Sequence, residues 1–274
     1  MTERILLLQG PLNKIGCDPV TSHFPIDEVM RCYTVFNADP NTRALALAFR
    51  ARGFKVVYSG WIEDAEWLQV NASLFDATVV SDPSKLNAQS MFRGQMIANN
   101  KEKLYFGVLR GLETAHATYG SDAIVFRLRS DVAVDPVLAL AEFERVTPQS
   151  GILLIEYLKT ALLFNVPDFM QIAEMDTLLT IYRHLYTRSA SGNSYHISSH
   201  VDHCLTYLRM VELGIIKEIH CMGRSMYDGV AWRGIPRYLE AATSPGHDDG
   251  LFFGGKVEMP AGLTVDKLVE SGMF

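Results

Sequence analysis

Apolar and polar positions along the first half of the chain fall into short blocks that read as strands separated by helices. Ile5–Leu8 is an apolar run closed by Gly10–Pro11, which predicts a strand and then a turn. Asp39–Pro40 is a helix-start pair, an N-cap residue followed by proline at the first helical position, and it opens a helix over Asn41–Arg52 that Gly53 stops. Phe54–Tyr58 is β-branched and aromatic and predicts a second strand. Ala77–Val80 predicts a third, ending at Ser81–Asp82–Pro83. Residues 84–100 carry no clear pattern and read as a loop. Over Lys101–Tyr119, Leu104, Val108, Leu112 and Ala115 fall near one face of a long helix that Gly120 ends. Gly107 and Gly111 share a face of it and would let another element approach closely. Ala123–Leu128 predicts strand four, Val137–Arg145 a helix and Gly151–Glu156 strand five.

The second half is less regular. Pro167–Asp168 precedes a helical pattern read over Phe169–Tyr186, Ser189–Asn193 is a turn, and Ser199–Leu213 reads as another helix. The stretch from Ser244 to Gly255 is rich in Gly, His and Asp and reads as a loop. Strands alternating with helices of this length predict an α/β fold with a mixed, mostly parallel sheet covered by helices on both faces. No repeat or linker divides the chain, so a single domain over residues 1–274 is expected. Ligands in such sheets lie outside the carboxyl ends of the strands. Those ends carry Gln9–Gly10–Pro11, Ser59–Gly60–Trp61, Ser81–Asp82–Pro83 and Arg129–Ser130–Asp131, all polar or glycine-containing.

Composition narrows the class. The 274 residues are 48% hydrophobic and 20% charged, an ordinary globular balance. No apolar run is long enough to predict a transmembrane helix, and the start of the chain lacks the features of a signal peptide. A net charge of -6 argues against a nucleic-acid binder, which would show a basic face. Cys17, Cys32, Cys204 and Cys221 form no CxxC pair and read as separate thiols in a reducing compartment, so a cytoplasmic location is expected.

The segment richest in chemistry is Ala123–Asp131. Strand alternation puts Ile124, Phe126 and Leu128 on one face and Val125, Arg127, Arg129 and Asp131 on the other. Two arginines and an aspartate ending an apolar strand are costly to bury unless paired. One reading is a structural Arg–Asp network. The other is a site in which Asp131 holds a divalent cation, Mn or Mg, and an arginine faces a phosphate.

Several motifs then coincide in order with one family. Leu8-Gln-Gly-Pro-Leu12, Tyr58-Ser-Gly-Trp61 and Val79-Val-Ser-Asp-Pro83 look like its first three strand endings. Asn100, Lys103, Gly107, Gly111 and Leu112 fall in register with its Asn-x-x-Arg-Gln-x-x-Ser-Thr-x-x-Gly-Leu helix, and Arg127-Leu-Arg-Ser-Asp131 with its Lys-x-Arg-Ser/Thr-Asp motif. Over roughly residues 5–185 the chain resembles the WavE-type lipopolysaccharide synthesis family of bacterial glycosyltransferases. Lys103, Leu104 and Gly107 depart from that pattern, standing where it has Arg, Gln and Ser.

The resemblance implies a GT-A-like fold with a nucleotide-sugar-binding half, about residues 1–135, and an acceptor-binding half, about residues 136–274. It implies transfer of a sugar from a nucleotide-sugar donor onto a bacterial surface glycan (lipopolysaccharide, O-antigen or capsule), with a glycan or lipid-linked glycan as acceptor and peripheral contact with the inner membrane. Gln9, Gly10, Asn100, Lys103, Arg127, Arg129 and Ser130 would bind donor. Asp131, the remnant of an Asp-x-Asp motif in Ser130–Asp131, would be catalytic and bind metal; Asp135 would be a helper or, beside Pro136, a turn or helix start, and His247 a late ligand or part of a solvated loop. Asp202, in His200-Val-Asp-His-Cys-Leu205, would be the general base of an inverting reaction; read structurally, it is a helix-start carboxylate favoured by the dipole.

Other features carry less. His196, His200 and His203, spaced for one helix face, would suit a transition metal, although no HExxH motif is present. Trp61 and Trp67 flank Glu63, Asp64 and Glu66 and would suit sugar stacking or core packing. Arg224, Arg233 and Arg237 would suit acceptor phosphates or simply coat a surface. The competing functions are a nucleotide- or sugar-binding partner without catalysis and a metal-dependent hydrolase built on the histidines.

Overall fold

The computed structural model describes residues 2–15, 35–86, 89–92, 95–98, 101–145, 151–159, 168–196, 199–232, 235–236, 251–259 and 261–271. Among them the main sheet is formed by β1 (Arg4–Gln9), β2 (Lys55–Trp61), β3 (Ala77–Ser81), β4 (Ile124–Arg129), β5 (Ile152–Ile155), β6 (Met170–Glu174) and β7 (Glu218–Cys221). They lie in the order β7-β5-β6-β4-β1-β2-β3. β1, β2, β3 and β4 pair in parallel, as do β5 and β7, while β6 is antiparallel to both β4 and β5. This is the mixed, mostly parallel sheet expected from the sequence.

Helices cover both faces because the central strands are apolar on both faces. On β1, Ile5 and Leu7 pack with Val57 and Val125 against α2 (Lys101–Tyr119), α4 (Met175–Ala190) and α5 (Ser199–Glu212). Leu6 and Leu8 pack with Val56, Phe126 and Leu128 against α1 (Asp39–Ala51) and α3 (Pro136–Arg145). Burying one such side chain contributes roughly 1.5–3 kcal/mol. α1 begins at Asp39 and contains Pro40 in its first turn, close to the expected start.

The largest departure from expectation lies at residues 169–174. A helix is expected from Phe169, but Met170–Glu174 is β6 and the helix begins at Met175. Ile172 packs on one face of the sheet and Ala173 on the other, so the segment is a strand buried on both sides and shows no alternation. A short apolar run of this kind cannot be told from a helix by periodicity. Within 84–100, expected to be a loop, Gln89–Phe92 and Gln95–Ala98 pair as an antiparallel hairpin.

α2 sits unusually close to the sheet, and its two glycines are the reason. A Cβ on Gly111 would stand 2.6 Å from Leu7 Cδ1 and 3.0 Å from Ser59 Cβ; one on Gly107 would stand 2.9 Å from Gln9 Nε2 and 3.3 Å from Trp61 Cζ2. Ser59 Oγ also donates to the Gly107 carbonyl at 2.6 Å. The close approach anticipated from the glycine spacing is thus onto β1 and β2. Gly111→Ala is expected to lower stability by about 1–3 kcal/mol through overpacking against Leu7 and Ser59, read as a lower urea midpoint with an unchanged slope.

Candidate functional site

β1, β2, β3 and β4 end at one edge of the sheet, and β6, running the other way, starts there. Register places Gln9 beside Arg129, and Met170 beside Leu128. The chain after β1 is locked at this edge. Gly10 has φ 128°, which a side chain would strain, and a Cβ there would lie 2.8 Å from Ser130 Oγ. Ser130 donates from N to the Gln9 carbonyl at 2.9 Å and from Oγ to the Pro11 carbonyl at 2.8 Å. Tyr58 Oη donates to the Gly10 carbonyl at 2.8 Å, and Leu12 N donates to both Asp64 oxygens at 3.3 Å. Burial pushes the Tyr58 hydroxyl well above its usual pKa, so it stays a donor.

Alternation along β4 turns Arg127 toward α4, where it is fully buried. Its Nη2 donates to Gln9 Oε1 at 3.1 Å; its Nη1 donates to the Asp168 carbonyl and to Gln171 Oε1 at 3.4 Å. Gln171 in turn accepts from Tyr182 Oη at 2.7 Å and donates to Tyr207 Oη at 3.0 Å. Three neutral acceptors thus serve the terminal nitrogens of Arg127, while its Nε has no hydrogen-bond partner among the described residues.

Arg129, two residues on, is enclosed by two carboxylates. Nε and Nη2 donate to Asp131 Oδ1 and Oδ2, each at 2.8 Å, a fork-to-fork pair. Nη1 donates to Asp168 Oδ1 and Oδ2 at 3.2 and 3.3 Å, and the guanidinium carbon lies 5.3 Å from the Phe169 ring centre. Burial opposes the charge on Arg129, but Asp131 and Asp168 outweigh it and raise the pKa. The side chains of Asp131 and Asp168 are 1% and 2% exposed, against 16% for Arg129. Arg129 is therefore the most exposed member of a largely buried group.

That pairing tests the expected metal. A cation on Asp131 would have to share both carboxylate oxygens with the Arg129 guanidinium, a like charge already bonded to them at 2.8 Å. Among the described residues no group of three or more His, Cys, Asp or Glu side chains converges to hold a metal ion. His247 lies outside the described residues, as does Asn100. The residues at this edge do not fit a metal held by Asp131 in this arrangement.

Asp202 lies in a second buried cluster, 2% exposed on α5. Oδ2 accepts from Tyr105 Oη at 3.0 Å and Lys101 Nζ at 3.3 Å; Oδ1 accepts from Tyr195 N at 2.8 Å and His196 N at 3.3 Å. A base here would have to release one of four donors before it could take a proton from an acceptor. Burial lowers the Lys101 pKa, and Asp202 partly restores it. Lys103, two residues along α2, is only half-buried.

His203 joins the two clusters. Its Nδ1 donates to the Ser199 carbonyl at 2.7 Å, its Nε2 lies 3.4 Å from Tyr182 Oη, and the rings of Tyr105, Tyr182 and Tyr207 surround it. Burial pushes its pKa down to about 4. His196 meets Asp202 through its backbone, and the His200 side chain lies outside the described residues. Trp67 packs with Tyr58 and Phe75 in the core.

The structure therefore brings Gln9, Gly10, Arg127, Arg129, Ser130 and Asp131 to one edge and sets Asp202 apart from them. Asp168 and Lys101 were not singled out from the sequence. Asp168 was hidden by the misread helix that followed it. Lys101 carried a usable signal, since it stands first on a long helix and one turn before the buried Tyr105.

No family model matches the chain, and no curated protein matches it. Among solved structures, it is similar to a glycosyltransferase involved in the glycosylation of the major capsid of PBCV-1, with 12% identity and a TM-score of 0.44 over 79% of this chain and 82% of that one. It is also similar to a nucleotidyl transferase from Methanothermobacter thermautotroptrophicus, with 14% identity and a TM-score of 0.40 over 76% and 96%. A third is a cytidylyltransferase from Leptospira borgpetersenii, with 16% identity and a TM-score of 0.36 over 74% and 71%. The likeness is one of general architecture.

Two outcomes follow from the buried groups. Asp202→Ala leaves Lys101 buried without its carboxylate and is expected to cost about 3–5 kcal/mol in urea unfolding. A loss below about 1 kcal/mol would show that the pair is not needed. His203 protonates near pH 4 when folded, against 6.5 for an ordinary histidine, so the unfolded chain binds the extra proton between those values. Its contribution is complete above about pH 6.5 and is lost as pH falls toward 4. The difference in urea midpoint between wild type and His203→Phe should therefore shift toward the variant between about pH 7 and pH 5.

Proposed function

We propose that the protein is a glycosyltransferase that takes a sugar from a nucleotide-sugar donor lying across the carboxyl edge of β1 and β4. The observation that supports this most is the partly exposed Arg129, set beside the locked Gly10 turn where open α/β sheets receive ligands. In this reading Gln9 and Gly10 border the nucleoside, Arg129 meets the diphosphate, and Ser130 holds the two strand ends together. Breaking the sugar–phosphate bond leaves charge on the departing diphosphate, and a preorganised guanidinium stabilises that charge. Asp131 and Asp168 hold Arg129 in position, and Arg127 braces the strand beneath it. Asn100 and Lys103 remain proposed donor contacts on their motif positions alone.

The acceptor proposed is a bacterial surface glycan or its lipid-linked precursor, met at the cytoplasmic face of the inner membrane. No helix among the described residues is long and apolar enough to cross a membrane. Asp202 acts as a positioning residue that ties Lys101 at the start of α2 to the backbone at 195–196. A second reading, a nucleotide-binding partner without catalysis, is favoured by the inward turn of Asp131.

Calorimetry against UDP-, GDP-, dTDP- and CMP-sugars separates these. One donor class should bind and be slowly hydrolysed, with hydrolysis reduced at least about tenfold, some 1.4 kcal/mol in barrier, in Asp131→Asn. Binding without hydrolysis would select the partner reading. No binding to any donor would sink both.

A further inference from the structure

We infer that Arg129 itself fills the place of a divalent cation, so that the protein binds a nucleoside diphosphate without metal; this rests on the proposed function. Three observations meet here. Both Asp131 oxygens are committed to Arg129 at 2.8 Å, and Asp168 holds the third nitrogen at 3.2 Å. Arg129 is the most exposed member of the group, at 16%, while the carboxylates are 1% and 2% exposed behind it. The Phe169 ring lies over the guanidinium, its centre 5.3 Å from the guanidinium carbon.

A guanidinium has five N–H donors, and these contacts occupy one on Nε, one on Nη2 and one on Nη1. One N–H on each terminal nitrogen is left over for phosphate oxygens. Arg129 is the most exposed side chain of this group, so a diphosphate meets its N–H donors before the carboxylates behind it. Asp131 and Asp168 are positioning residues: they pin the fork that touches the phosphate.

The test is calorimetry with UDP, GDP and dTDP and with uridine, guanosine and thymidine, each in EDTA and in manganese. The diphosphate that binds should do so equally in both media, within about twofold. Arg129→Lys keeps the charge but loses the fork, and should weaken diphosphate binding about tenfold or more while leaving the matching nucleoside unaffected. Asp168→Asn should weaken diphosphate binding several-fold with the nucleoside again unchanged; a merely structural role would weaken both. Nucleoside binding also verifies that each variant is folded. Diphosphate binding that appears only with manganese overturns this inference and leaves the proposed function standing. Wild-type diphosphate affinity in Arg129→Lys overturns it as well. Absence of diphosphate binding in both media overturns the inference and the function together.

Discussion

Two arginines on one central strand have to be neutralised without bulk water, and the carboxyl edge of the sheet is built around that requirement. Arg127 is solved from within: Gln9 of β1, Gln171 of β6 and the Asp168 carbonyl accept from its terminal nitrogens. Arg129 is solved at the rim by the carboxylates of Asp131 and Asp168. Each solution borrows groups from neighbouring strands, so β1, β4 and β6 cannot shift register without stranding a charge. The cost of a stranded buried charge is several kcal/mol, more than any single apolar contact at this edge supplies. The polar network is thus a specifier of strand pairing.

The same logic extends into the helical layer. Gln171 passes the network to Tyr182 and Tyr207, and His203 stands among three tyrosines next to the Asp202–Lys101 pair. α2 can reach these groups because Gly107 and Gly111 let it settle onto β1 and β2. Bulk at those positions would raise the helix and with it Tyr105 and Lys101, which feed Asp202. Packing on one side of α2 and polar pairing on the other are therefore mutually dependent.

The parallel strands and the helices between them were legible because their apolar periods differ and their ends carry glycine, proline or aspartate. Arg127, Arg129 and Asp131 were legible for a related reason, since charged groups ending an apolar run must be paired, while Gln9, Gly10 and Ser130 were legible from their places at strand ends. β6 was not legible. Buried on both faces and only five residues long, Met170–Glu174 has no period to read, and it runs directly into a helix. Missing it hid Asp168, the second carboxylate on Arg129. Partner identity was equally out of reach, since Lys101 and Asp202 meet across 101 positions of chain.

Sequence pairs Asp131 with a metal by motif, but geometry gives its oxygens to a residue two positions away. The difference is one of facing. An aspartate at the end of a strand presents its carboxylate outward only if nothing on the same face competes, and Arg129 does compete, with Asp168 holding it from the other side. A motif of serine and aspartate preceded by arginine thus encodes a partly exposed cation backed by anions. A carboxylate pair awaiting a cation would present the opposite sign to solvent. Under the proposed function, this reversed sign keeps a fixed positive partner for a departing diphosphate while exchanging a mobile ion for a covalently tethered one.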